Sequence, residues 1–381
     1  MNLRKRPLII AGLFLIVLSF FLRYQFLWLE NGDLLMNVGW YEFLLENGYK
    51  GLANEEFSNY APPYLYLLWL FTVITPQTTP AFIIKLIPTL FDLLSVVTIY
   101  KIACIKFQGD KPFFLASIFF ALPTVMFNST GWGQVDSLYG SLLLLCFYLL
   151  LTDRPLPAFI AYGLAFSFKL QAVFLLPFLG ILFIRKKTRW YLFFVIPAVY
   201  LLAMLPAFFA GRSWESIFQV YASQTVFYDN LARYAPNLYF LIPNEYFHPV
   251  FEIGISVFFV SMLGWAWINW RAKPPITQNQ FVLTALASVA LVPFLLPKML
   301  DRYFYPADLF SFITAIFLPE LWFLALFFQI SSGLVYLIFP FGQMPILALP
   351  AALINTALVI IIIRKQVGSL QNQQTPSDPM Q

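Results

Sequence analysis

Thr130-Gly131-Trp132-Gly133-Gln134-Val135-Asp136-Ser137 is a polar island between two apolar runs, Phe113 to Phe127 and Leu142 to Leu151. Its glycines allow a tight backbone, Trp132 offers a flat amphipathic face, and Gln134 and Asp136 offer hydrogen bonds and a charge. In an apolar chain such an island sits where helices meet water, either as a turn anchored by its Trp or as a site for a polar ligand. Asp33, in Glu30-Asn31-Gly32-Asp33, is a carboxylate just beyond the first apolar run, and a carboxylate there can take a proton from a hydroxyl nucleophile. It can equally be one of several solvated acids, with Glu30, Glu42, Glu46, Glu55 and Glu56 nearby. Asp136 can orient a ligand, hold a cation or cap the helix that starts at Ser137. Lys169 in Phe168-Lys169-Leu170-Gln171, and Lys298, Asp301 and Arg302 before Tyr303, either snorkel to the surface or bind an anion. Arg302 can grip a phosphate with both arms of its guanidinium while Asp301 or Tyr303 holds it. Lys85 is a further cation near the same face. Asp92, inside an apolar run, is either functional or paired with a neighbouring helix.

The elements that must position these groups are membrane helices. Of 381 residues, 60% are hydrophobic and 11% charged, against about a quarter charged in soluble domains. Apolar runs of spanning length recur from end to end, which predicts an all-α polytopic membrane protein. The net charge of +5 comes from lysines and arginines between apolar runs, an orientation signal rather than a nucleic-acid surface. Cys104 and Cys146 lie in apolar runs and His248 is the single histidine, so neither a disulfide framework nor a metal site is expected. A divalent cation has no support in the residues. Arg4-Lys5-Arg6 before Pro7 to Leu29 begins like a signal peptide, but the run is too long and no small-residue cleavage site follows, so a retained first helix is predicted.

About twelve spans are predicted, near 7–29, 81–104, 112–128, 137–152, 155–168, 170–184, 189–210, 248–270, 277–297, 303–319, 321–340 and 346–363. The run Pro62 to Thr75 is short for a crossing. If it stays on one face, Arg4, Lys5, Arg6, Lys101, Lys106, Lys111, Arg154, Arg185, Lys186, Lys187, Arg189, Arg271, Lys273, Arg364 and Lys365 all fall inside. If it crosses, all but the first three move outside, which the positive-inside rule opposes. Residues 1–365 then form one transmembrane domain with both termini cytoplasmic. A first outer loop, 30–76, carries one or two juxtamembrane helices. One of them would present Trp40, Tyr41, Phe43, Leu44 and Leu45. A second outer loop covers 211–247, and the polar tail 366–381 is expected to be disordered and cytoplasmic. There is no internal repeat. Asp33, the island, Lys169 to Gln171 and Lys298 to Tyr303 all fall on the outer side. Cations there can hold a lipid phosphate, a carboxylate can activate a sugar hydroxyl, and Trp132, Trp40 and Tyr60 can stack on sugar rings.

In this the chain resembles the GT-C class of membrane glycosyltransferases, with bacterial relatives of the GPI mannosyltransferases and of the dolichyl-phosphate-glucose enzymes as the nearest pattern. The matching pieces are the Asp33 loop, Asn59-Tyr60-Ala61-Pro62-Pro63-Tyr64-Leu65-Tyr66, Leu90-Phe91-Asp92, Trp132-Gly133-Gln134-Val135-Asp136-Ser137, Phe168-Lys169-Leu170-Gln171 with Pro177, and Arg302-Tyr303-Phe304-Tyr305-Pro306. The Trp-Gly-Gln-x-Asp-Ser piece is the most specific. The resemblance implies an inverting transfer of a hexose, mannose or glucose, from a polyprenyl-phosphate donor to a glycan or glycolipid acceptor outside the cytoplasmic membrane, with no cofactor required. It implies Asp33 as general base and Lys169, Arg302, Lys298 and Lys85 as donor-phosphate ligands. Trp132, Gln134, Asp136, Tyr60, Gln171, Asp301 and Tyr303 would position sugar or acceptor. Leu300-Asp301 departs from the His-Glu that relatives often carry before Arg-Tyr. The alternatives are a polyprenyl-linked-sugar flippase or transporter, which needs no base, and a non-catalytic assembly factor.

Overall fold

The computed structural model describes residues 6–226, 229–272, 275–342 and 344–371. Apart from one two-residue parallel strand pair, Ala232–Arg233 with Met299–Leu300, the regular structure of the described residues is helical. The chain divides into two compact units, Met1–Ala172 with Leu192–Tyr228 and Val173–Tyr191 with Asp229–Gln381.

The first unit opens with α1 (Pro7–Phe26), which carries proline in its first turn, where a missing N–H is harmless. The Asn31 side chain accepts from the Leu34 N–H and starts α2 (Gly32–Asn47). Pro62-Pro63 starts α3 (Pro62–Ile74), and α4 (Pro80–Lys106) follows. Next, α5 (Lys111–Phe120) bends by 51° into the segment Pro123–Gly131. The last turn of that segment, Phe127–Gly131, is π-wound, a local bulge of the kind that recurs at functional sites. Two shorter helices, α6 (Asp136–Leu151) and α7 (Pro155–Phe168), follow. The chain then passes through α8 (Leu176–Ile184), which belongs to the second unit, and returns with α9 (Val195–Ala210) and α10 (Trp214–Val226). One core of the unit joins Leu34, Tyr41 and Leu44 of α2 to Leu65 and Leu68 of α3, Ile84 of α4 and Leu138 of α6. So α2 buries Tyr41, Leu44 and most of Trp40 as an amphipathic helix should, while Leu45 stays 43% exposed.

The second unit is built from α11 (Phe247–Arg271), α12 (Gln278–Leu295), α13 (Tyr305–Phe317), α14 (Trp322–Tyr336) and α15 (Ala348–Gln371). A capping box between Thr277 and Gln280 opens α12. The expected disordered tail begins too early. Gln366 is fully buried within α15, accepting from Trp265 Nε1 at 3.1 Å and donating to Asn269 Oδ1 at 3.0 Å. These buried hydrogen bonds carry the helix through Gln371; positions 372–381 lie outside the described residues.

Six helices among the described residues are long and apolar enough to cross a membrane, and the bent pair Lys111–Phe120 and Pro123–Gly131 makes a seventh. The other predicted spans are shorter helices. Pro155 and the Leu170–Leu175 3-10 turn break the chain, so Asp136–Leu151, Pro155–Phe168 and Leu170–Ile184 stay below spanning length. The 16 residues of α6 rise about 24 Å at 1.5 Å each, against a hydrocarbon core of about 30 Å. The 13 residues of α3 are shorter still. Two of the long helices keep most of their side chains outward, with only 17% of the α1 window and 11% of the α11 window buried, whereas the α12 window is 89% buried. Phe14, Val260 and Leu263 are each at least 65% exposed. Such surfaces require lipid as solvent, and this is a helical membrane protein.

The sidedness has a direct test. In a Cys104→Ser background, which removes the exposed native thiol, Glu46→Cys and Lys50→Cys are expected to react with a membrane-impermeant maleimide in intact cells. Lys111→Cys and Lys187→Cys should react only after permeabilisation. Reaction of Lys111→Cys and Lys187→Cys in intact cells as well would mean that α3 crosses the bilayer, since residues 46 and 50 precede α3 and stay outside either way.

Candidate active site

Asp33 lies in the first turn of α2 and is half-buried. Its Oδ2 accepts from Trp132 Nε1 at 3.1 Å and from Gln134 Nε2. The island therefore reaches back to the start of α2. Local backbone explains how. Gly131 sits so close to Phe127 that an added Cβ would lie 2.4 Å from its ring. Gly133 has φ +76, a conformation L side chains rarely adopt. The Trp132 N–H closes the π turn on the Phe127 carbonyl at 2.7 Å, and the Gln134 N–H bonds the Asn128 carbonyl at 2.9 Å. From the other side, Asn31 Nδ2 donates to the Trp132 carbonyl at 3.0 Å, and Asn37 Nδ2 to the Asp33 carbonyl at 2.8 Å. Asn31 thus caps α2 and ties it to the motif with one side chain.

Tyr60 extends the cluster. Its hydroxyl is 3.5 Å from Gln134 Oε1, and its ring is 5.7 Å from Lys169 Nζ. Lys169, 7% exposed, forms an ion pair with fully buried Asp136, whose Oδ2 also accepts from Asn128 Nδ2 at 2.9 Å. Tyr139 presents its ring 5.9 Å from the same ammonium. Gln171 is buried, with its Oε1 lacking a hydrogen-bond partner. Asp33, Trp132, Gln134, Tyr60, Asp136, Lys169 and Gln171 thus share one unit, and all but Gln171 are joined by the contacts given.

Four expected roles change. Trp132 is fully buried and its indole N–H is spent on Asp33, so it holds the carboxylate instead of stacking on a sugar. Trp40 packs on Tyr60, ring centroids 5.0 Å apart, and is 6% exposed. Half-buried Tyr60 is what remains of the stacking surface. Asp136 neither caps α6, whose N-cap is Val135 without a side-chain bond, nor faces outward. Its carboxylate fixes Lys169, because a buried charge needs a partner. Lys85 is not a phosphate ligand: its ammonium bonds the carbonyls of Phe26, Leu27 and Leu29 at 2.8, 3.0 and 2.6 Å, which uses all three protons.

Asp92 pairs structurally. Its Oδ2 is 2.8 Å from Arg23 Nη1 and accepts from Ser129 Oγ at 2.6 Å. Arg23 was not singled out in the sequence, although one arginine inside the first apolar run and one acid inside the second are complementary charges. Arg212 was missed as well. It is 3% exposed, donating from Nε to Ser216 Oγ at 3.2 Å and from Nη2 to the Glu55 carbonyl at 3.4 Å. Burial lowers its guanidinium from the ordinary value. Glu55 accepts from the Ser213 hydroxyl at 2.6 Å, which holds its carboxyl below the usual range.

In the second unit, Asp301 Oδ1 accepts from the Arg302 backbone N–H at 2.9 Å and lies 3.4 Å from Arg302 Nη1. Tyr303 packs its ring on Phe174, centroids 5.8 Å apart. Lys298, at φ +63, is 3.2 Å from Asp229 and sits over the rings of Phe247 and Phe251. Among the described residues no three His, Cys, Asp or Glu side chains come together as a metal site.

The Lys169–Asp136 pair makes a prediction about stability. Asp136→Ala leaves the Lys169 ammonium buried without its carboxylate, which is expected to destabilise by about 3–5 kcal/mol. The double variant Asp136→Leu, Lys169→Met should recover most of that loss. Unfolding of the detergent-purified variants measures it; an unchanged single variant would mean the pair is solvated.

A sequence model of glycosyltransferase family 87 matches residues 57–297. No curated protein matches the chain. The matched stretch holds Tyr60, the Trp132 to Asp136 motif, Lys169 and Gln171, while Asp33 precedes it and Lys298 to Tyr303 follow it. Since that stretch is well over half of the 381 residues, the chain belongs to glycosyltransferase family 87.

Proposed function

We propose that the protein transfers a hexose, mannose or glucose, from a polyprenyl-phosphate donor to a hydroxyl of a glycan or glycolipid acceptor. The reaction takes place at the outer face of the cytoplasmic membrane, with inversion. The observation that carries this reading is the half-buried Asp33 carboxylate, held on one oxygen by Trp132 and Gln134. A carboxylate fixed at the N-terminus of a short helix, beside lipid-facing surfaces, suits a base that meets a membrane-bound acceptor.

Asp33 takes the proton of the acceptor hydroxyl as that oxygen attacks the anomeric carbon. The bond from that carbon to the phosphate oxygen breaks on the opposite face, so the configuration inverts. Polyprenyl phosphate leaves as an anion, and cations rather than a general acid stabilise it. Lys169, held in place by Asp136, is the cation of the first unit. Tyr60 and the open acceptor atom of Gln171 orient the sugar. Arg302, braced by Asp301, and Lys298 are separate candidates in the second unit. The step balances without a cofactor.

Transfer and donor binding measured on the same purified variants test this. Asp33→Asn keeps the shape and removes the base, which is expected to slow transfer by about 10²–10⁴-fold with donor affinity unchanged. Lys169→Met should weaken donor binding by about 1.5–3 kcal/mol. The same loss in Arg302→Met instead would assign the phosphate to the second unit, and Arg302→Lys should then be impaired too, because a point charge cannot reproduce a bidentate fork. Full transfer by Asp33→Asn removes Asp33 from the chemistry. Lipid-linked sugar moved across vesicles by a protein that transfers none of it would instead identify a flippase.

A further inference from the structure

Lys85, Pro88, Thr89 and Asp92 recur at i, i+3, i+4 and i+7 of α4 and so share one face. That face meets the segments that carry Asp33 and its two donors. Asp92 holds Arg23 and Ser129. Thr89 Oγ1 lies 3.1 Å from Thr130 Oγ1, and the Pro88 carbonyl accepts from Ser137 Oγ at 2.9 Å. The polar island is thus hooked to α4 on both sides of Trp132 and Gln134.

Lys85 is where the two halves of the site meet. It is fully buried, and its ammonium takes the carbonyls of Phe26, Leu27 and Leu29. The Phe26 and Leu27 carbonyls lie at the C-terminal end of α1 and that of Leu29 just beyond it. Phe26 also accepts from the Leu29 N–H at 3.1 Å, and a cation there meets the negative end of the helix dipole. Leu29 is four residues before Asp33. The stem of the same side chain lies against the motif: a Cβ built on Gly133 would be 3.8 Å from Lys85 Cγ and 3.1 Å from Leu34 Cδ1. One side chain therefore sets the exit of α1 on one hand and abuts the turn between Trp132 and Gln134 on the other.

We propose that Lys85 is a positioning residue for the transfer: by clamping the end of α1 beside Gly133 it sets Asp33 within reach of Trp132 Nε1 and Gln134 Nε2. The proposal rests on the reading of Asp33 as the base. An apolar side chain of the same length would fill the space but take the ammonium from three part-buried carbonyls, leaving Phe26 only the Leu29 N–H, and the turn into α2 would have to shift to find donors for Leu27 and Leu29.

Two readouts test it on the full-length protein in detergent. In Lys85→Met, hydrogen–deuterium exchange is expected to quicken in peptides covering 27–37 and 130–136 together. With farnesyl-phosphate-mannose or -glucose as donor and membrane lipid extract as acceptor, kcat should fall about 10- to 100-fold, the worth of one hydrogen bond to a charged group, with KM for the donor unchanged. Lys85→Arg, which keeps a cation at the carbonyls, should restore part of both. In a Gln134→Ala background the Lys85→Met loss should shrink, because both changes act on the same alignment. If Lys85→Met does not fold, Lys85→Gln carries the same measurements. Unchanged exchange at 130–136, or a loss that simply adds to that of Gln134→Ala, overturns the proposal. Full transfer by Asp33→Asn overturns the reading beneath it instead, while the exchange experiment still decides whether Lys85 holds the two segments together.

Discussion

A half-buried carboxylate needs donors that stay in place, and here they come from a hundred residues away in the chain. Trp132 and Gln134 both point at Asp33 Oδ2, and Asn31 returns the contact by donating to the Trp132 carbonyl. This exchange makes one object of the α1–α2 turn and the polar island. The glycines at 131 and 133 serve it directly, one by its closeness to the Phe127 ring and the other by its positive φ.

The remaining polar groups of the first unit follow from the low dielectric around them. An unpaired charge there is far more expensive than a paired one, and a half-satisfied network is worse than none. Lys169 is matched by Asp136, whose other oxygen takes Asn128, Arg23 by Asp92, Ser129 and Thr130, and Lys85 by three carbonyls at and just past the end of α1. Each set joins elements distant in sequence, so the groups that shape the site also fasten the helices. That is why several side chains with catalytic-looking chemistry turn out to support others. Trp132 orients a carboxylate, Asp136 orients an ammonium, and neither is exposed.

The second unit carries the same logic in a different setting. Asp301 braces Arg302 through both its backbone and its guanidinium, and Lys298 leaves a strained φ to lie over two phenylalanine rings beside Asp229. Its helices are tied by buried amides, Gln366 to Trp265 and Asn269, in a region whose composition alone reads as a polar tail.

Helix identity and membrane class were legible in the sequence because they depend on local quantities: apolar run length, proline at first turns, and the distribution of lysine and arginine. The short Pro62 helix and the amphipathic α2 follow from the same signals. The spacing of Trp132, Gln134 and Asp136 marked the polar cluster proposed as the site, and Asp33 was visible as the acid beyond the first helix. What those residues do was not legible, because a side chain's role depends on what lies across from it. Periodicity cannot show that Trp132 turns inward to Asp33, that Asp136 is spent on Lys169, or that Lys85 closes the end of α1. Nor does apolarity fix span length, since prolines and 3-10 turns such as Leu170–Leu175 divide runs that read as continuous. The sequence determined which groups are available on one helical framework. Only the tertiary structure decided their pairing, because burial obliges each charge to find its partner wherever the fold brings one.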